Sequence, residues 1–241
     1  MKNNILNIRI NNEEVVNKID VSFKRKGVLY TKDIYAIMTK QMIENIANKN
    51  NTQYFMDVTY YATPPNNQNF KILIILAFDN TKYSTVLCNI SLILNENKET
   101  FFSVLEYLNK RYKFEPKNIT TDYSLAEIKA IKSLFPNINI IPCFFHFLQN
   151  ICKKLPSLRS NNKKIKQLSR NLLANIKLLS FIPESKIKSF YSLIKKKYLA
   201  NHNSFFKYFD KYYFNEKKFE INLWNYTKII NFLNKIMKLY P

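Results

Sequence analysis

The chain has 241 residues, 46% hydrophobic and 15% aromatic, enough to bury the core of one large domain or of a domain with a helical appendage. Its single glycine, Gly27, excludes Gly-rich phosphate loops and the dinucleotide fingerprint, and with them the kinase, P-loop and Rossmann readings. The net charge of +21 is uneven: from Ile151 onward twenty Lys and Arg face four Asp and Glu, which puts +16 there and +5 before it. A polyanion suits such a half, and the Lys-rich composition also fits a plain solvated basic face.

Residues 1–50 mix charged and apolar side chains, and their role is open. Ile34, Ile37, Met38 and Met42 at helical spacing predict a helix over Lys32–Ile46. The segment has no Cys or His, so it holds no zinc finger. Three cysteines, Cys88, Cys143 and Cys152, are too few and too odd for a secreted disulfide scaffold, and the N-terminus lacks the apolar core of a signal peptide. An intracellular protein is expected. The longest apolar run, Ile72–Phe78, is far short of a membrane span, so no membrane role is expected.

Three strands are predicted next, at Gln53–Ala62, Phe70–Asp79 and Tyr83–Leu94, joined by short turn-rich links that favour an antiparallel meander. Asp57 lies within the first, among Tyr54, Phe55, Met56 and Val58, which predicts a central strand and a buried or half-buried carboxylate in need of a partner. A helix follows over Lys98–Tyr112. The stretch Asn118–Lys154 then reads as a strand Asn118–Thr121 stopping at Asp122, a helix begun by Ser124, a strand Ile138–Cys143, and a helix entered through Phe144-Phe145-His146. This β-β-β-α-β-α-β-α order is the ribonuclease H-like arrangement, in which the first and fourth strands lie side by side and Asp57 and Asp122 meet at one sheet edge. The plainer alternatives are Asp122 as a helix cap and Cys143 and His146 as packing residues.

After Lys154 the pattern is helical and basic, over Asn162–Leu179, Glu184–Leu199, Ser204–Tyr213 and Leu223–Leu239. The expected class is therefore α/β, a ribonuclease H-like mixed sheet with flanking helices at 51–155, followed by a basic helical region at 156–241. Two carboxylates at one sheet edge can hold a divalent cation, and a third acid commonly completes a two-metal site about 3.5–4 Å across that aligns an oxygen with a phosphodiester. With a basic C-terminal half, the substrate would be nucleic acid. Lys153, Lys154, Arg159, Lys163, Lys164, Lys166, Arg170, Lys195, Lys196 and Lys197 are the candidate phosphate contacts.

Asp57 in FMDVT, the hairpin ILIILAFDN–YSTVLCNISLI, Asp122 in ITTDYSLAEIKAI, and Cys143-Phe-Phe-His146 followed by FLQNICKKL resemble the Mutator-like (MULE) transposases of eukaryotes over about Tyr54–Leu155. The resemblance implies an Asp-Asp-Glu core with a CxxH step, Mg²⁺ or Mn²⁺ on Asp57 and Asp122, transposon-end DNA as partner, work in the nucleus, and a homo-oligomer as one state to test. Its third acid is not matched: after Trp224, the glutamate position holds Lys238, and Glu127, Glu216 and Glu220 do not fit the motif. Zinc is not expected, because Cys143, His146, Cys152 and His202 fit no standard spacing. Trp224 is expected to pack a helical insert, with a DNA contact as the alternative. The expectation is a truncated MULE transposase-like core, possessing or lacking activity. The alternatives are a catalytically dead DNA-binding relative and a decayed copy with no selected role.

Overall fold

The computed structural model describes residues 9–10, 13–14, 16–25, 28–48, 51–59, 70–214 and 218–227. The chain divides into two compact units, 1–141 and 142–241.

In the first unit a two-stranded ribbon, β1 (Arg9–Ile10) with β2 (Glu13–Glu14), precedes a long antiparallel hairpin, β3 (Val16–Arg25) and β4 (Val28–Ile37). This corrects the helix expected over Lys32–Ile46. Val28–Ile37 is rich in β-branched and aromatic residues, and Tyr35–Ile37 pair with Ile90–Leu92 of the sheet, so strand pairing overrides the helical spacing. Only α1 (Lys40–Ala47) is helical, started by Thr39, whose side chain accepts the Met42 N–H.

The meander follows as β5 (Asn51–Thr59), β6 (Lys71–Asp79) and β7 (Ser84–Ile93), each antiparallel to the next. In β6, Leu73, Ile75 and Ala77 are fully buried and alternate with half-buried Ile72, Ile74, Leu76 and Phe78. That two-residue period fixes which face turns to the core. Asp79 ends β6 and closes the turn to β7. Its Oδ1 accepts the Thr81 N–H (2.8 Å) and hydroxyl (2.6 Å), and its Oδ2 accepts from Asn48 Nδ2 (3.0 Å).

Helix α2 (Lys98–Tyr112) has the predicted bounds, because Asn97 caps its start through Thr100 N–H (2.8 Å) and Lys113 ends it in the left-handed region, φ 56°. Then come β8 (Asn118–Thr121), α3 (Leu125–Leu134) and β9 (Asn139–Pro142). The strand order is β3-β4-β7-β6-β5-β8-β9, a mixed seven-stranded sheet with flanking helices. Helices α2 and α3 pack together, and the Tyr54 ring of β5 meets Phe114, just beyond α2, edge-on at 4.9 Å.

The second unit is helical: α4 (Phe144–Lys153), a 3₁₀ turn at Pro156–Arg159, α5 (Lys163–Leu179), α6 (Glu184–Phe209), a π-turn at Asp210–Phe214, and α7 (Ile221–Trp224). The two helices expected over Glu184–Leu199 and Ser204–Tyr213 are one helix bent at His202, where φ −138° and ψ 36° leave the helical region. His202 is buried, and its Nε2 shares a hydrogen bond with Ser169 Oγ of α5 (2.9 Å). Trp224 fills this unit's core. It is fully buried, stacks on Phe147 at 6.2 Å, and donates Nε1–H to the Tyr213 carbonyl at 2.8 Å. Of the helix expected over Leu223–Leu239, only the turn α7 is described, and residues 228–241 lie outside the described residues.

Candidate active site

Strand β8 runs parallel to β5, with Tyr54 opposite Ile119 and Phe55 opposite Thr120. Continuing that register sets Asp57 opposite Asp122, both toward the carboxyl ends of neighbouring strands. Opposed residues of a pleated pair share a face, and Gln53 Nε2 donates to Thr120 Oγ1 (3.0 Å) on that same alternation. Tyr54 and Met56, and Ile119 and Thr121, are buried on the other face. Asp57 is exposed rather than buried or half-buried as expected. The central placement of β5 between β6 and β8 is as read, but near the strand's end the face opposite Tyr54 and Met56 is open at this residue. Asp122 is half-buried just after β8, and its Oδ1 accepts the Ser124 N–H at 2.8 Å, forming an Asx turn into α3.

Behind this edge lies a carboxyl group that motif matching passes over. Glu127, the third residue of α3, is 1% exposed. Thr121 Oγ1 donates to its Oε2, and its Oε1 has no hydrogen-bond partner. Burial, then the negative charges of Asp122, Asp57 and Glu96, push its acid up to about 9 against the opposing Thr121 hydrogen bond. Glu96 is itself paired with Lys71 at 2.5 Å. The signal in the sequence was helical spacing: Glu127 shares a face with Ile131 and Leu134, while the Ser124-x-x-Glu127 pattern suggests an exposed cap.

Two carboxylates at adjacent parallel strand ends, one of them solvent-exposed, are the hard oxygen donors that Mg²⁺ or Mn²⁺ takes alongside water and substrate phosphates. The donor chemistry fits such an ion. Among the described residues no group of three His, Cys, Asp or Glu side chains is arranged to hold a metal.

In the second unit Cys143 is the residue before α4, half-buried and without a side-chain capping bond, and His146 and Cys152 are half-buried on α4. The candidate phosphate contacts Lys153, Lys154, Arg159, Lys163, Lys164, Arg170, Lys196 and Lys197 are exposed, while Lys166 and Lys195 are half-buried. Lys195 is paired with Asp210 at 2.7 Å. Lys154 and Lys197 lie over the rings of Tyr208 (5.1 Å) and Tyr198 (5.4 Å). Trp224, buried throughout, is a packing residue. Lys238 and Glu216 lie outside the described residues, and Glu220 is exposed just before α7.

Residues 54–150 match the family model of the MULE transposase domain. Over this stretch the chain is similar to Mutator-like transposases. The match begins on β5 and ends within α4, so the matched stretch takes in Asp57, Asp122, Glu127, Cys143 and His146 and leaves out the β3–β4 hairpin. No curated protein matches the chain.

Proposed function

We propose that this transposase-like chain holds Mg²⁺ or Mn²⁺ between Asp57 and Asp122 on a ribonuclease H-like core and binds DNA through the basic faces of its second unit, acting in the nucleus. The observation that carries the reading is the parallel pairing of β5 with β8, which brings the two acids to one level of the sheet. The order β7-β6-β5-β8-β9, three antiparallel strands with the first parallel to the fourth, supports the ribonuclease H-like assignment. Asp57 and Asp122 would hold the cation, which would supply Lewis-acid charge to a DNA phosphate and offset the charge growing on the leaving oxygen. Asp57, open to solvent, would meet the substrate side, while Asp122 is fixed by its turn.

A catalytically silent DNA-binding relative is the second reading. It is favoured by the lack of a three-donor cluster among the described residues and by Lys238 at the position where the family pattern calls for glutamate. An ammonium there repels a divalent ion.

The test measures Mn²⁺ binding by calorimetry and strand transfer on pre-cleaved DNA ends for the wild-type chain, Asp57→Asn, Asp122→Asn and Lys238→Glu. We expect binding weakened at least about tenfold by either Asp substitution, and strand transfer feeble in the wild type and raised in Lys238→Glu. Cation affinity indifferent to both Asp substitutions removes the site. Strong wild-type transfer abolished by Asp57→Asn removes the silent reading.

A further inference from the structure

Ser124 and Glu127 stand in the relation of a capping box, in which the serine side chain accepts the third residue's N–H and the glutamate reaches back to the serine N–H. One half is made: Glu127 N–H donates to Ser124 Oγ at 3.3 Å. The other half is taken by a different acid, because Ser124 N–H donates to Asp122 Oδ1. Glu127 is turned inward to Thr121 instead, with one carboxyl oxygen buried and unpartnered. An anion there would cost several kcal/mol, so the group is held neutral. The charges acting on it come from Asp122 after β8, Asp57 on β5, and Glu96 before α2, the last offset by Lys71 at the start of β6.

We propose that Glu127 is a positioning residue for the Asp57–Asp122 site that exchanges places with Asp122 when a divalent cation binds: it releases its proton to solvent, takes over the Ser124 N–H, and frees the Asp122 carboxylate for the cation. This rests on the cation reading given above. Bound charge of +2 cancels the two aspartates whose field helps keep Glu127 neutral, and adds attraction for an anion nearby. The first turn of a helix is where an ionised glutamate is best placed, since the free N–H groups and the helix dipole both favour it. The exchange breaks two hydrogen bonds, Ser124 N–H to Asp122 and the Thr121 hydroxyl to Glu127, and forms one, Ser124 N–H to Glu127, with one proton leaving; the attraction between the cation and the ionised Glu127 offsets the bond lost. Glu127 does not touch the cation in this scheme.

The experiment is calorimetric titration of the full chain with Mn²⁺ at pH 7.5 in two buffers of different ionisation enthalpy. It is run on the wild type, Glu127→Gln, Glu127→Leu and Asp57→Asn, with circular dichroism to check folding. The wild type should release roughly one proton per cation bound, read as a buffer-dependent heat. Glu127→Gln and Glu127→Leu should bind the cation with no such release and with an affinity nearly independent of pH between 6 and 9. Glu127→Leu serves as the second variant because an apolar side chain suits a buried position if the amide does not fold. Wild-type binding without proton release, or equal release in either Glu127 variant, overturns the exchange while leaving the cation site standing. Binding unaffected by Asp57→Asn, or no binding at all, removes the cation site and the exchange together.

Discussion

Glu127 couples the acidic edge to the stability of the fold, and the coupling has a definite sign. Its acid moves from an ordinary value near 4.5 to about 9 on folding. Across that interval the unfolded chain has lost the proton and the folded chain keeps it, so the unfolded state binds fewer protons and stability falls as pH rises, by at most about 1.4 kcal/mol per pH unit from this group. Below the lower value the group costs nothing. Glu127→Gln should therefore be more stable than the wild type at pH 8 and nearly equal to it at pH 4, with a flatter dependence between. Urea melts at pH 5, 7 and 9 check this, and parallel curves for the two proteins would show that Glu127 is ionised in the folded state. Cys88, by contrast, is buried with its thiol pushed up to about 12 by desolvation, and is an inert core residue at neutral pH.

At the level of elements, helix α2 is closed by a lysine in a conformation usually left to glycine. Lys113 N–H bonds the Asn109 carbonyl, Phe114 N–H bonds the Leu108 carbonyl at 3.3 Å, and Lys113 sits at φ 56°. A side chain there costs about 1 kcal/mol relative to glycine. Lys113→Gly should raise the chain's stability by up to about that amount in chemical denaturation, whereas a loss would mean that the Lys113 side chain contributes more than its backbone strain takes away. Locally marked elements were legible in the sequence: α2 keeps its predicted bounds through the spacing of its apolar residues, and β8 ends as predicted at Asp122. The N-terminal hairpin was not legible. Nothing near Val28–Ile37 signals that its partner is β7, more than fifty residues on, and the helical spacing of its apolar residues points the other way. The same holds for the site. The level of Asp57 and Asp122 followed from strand order, but the exposure of Asp57 and the burial of Glu127 depend on which face each strand and helix presents, and that is set by packing partners far away in the chain.

For the molecule as a whole, the concentration of +16 from Ile151 onward predicts DNA binding that weakens steeply with salt. The lysines should not contribute equally. Lys196→Ala and Lys197→Ala, both exposed, should each lower the slope of log affinity against log salt by about 1. Lys195→Ala should change it less and lower thermal stability more. The Lys195 ammonium is held by Asp210, whose other oxygen accepts the Tyr191 hydroxyl at 2.5 Å, tying α6 to the π-turn that follows it. Filter binding across a salt series measures all three, and a flat salt dependence in the wild type would show the charge to be a solvated feature with no phosphate contacts.

The parallel pairing of β5 with β8 joins strands between which two other strands and a helix intervene in the chain. Loop closure of that length must be complete before Asp57 and Asp122 share a neighbourhood, so the acid pair is absent from every partly folded state that lacks this contact. An ion that recognises the pair then binds the finished sheet alone. By mass action such an ion would act as a clasp on the β5–β8 junction, deepening the native basin as its concentration rises and slowing the opening of the strand pair on which both acids depend.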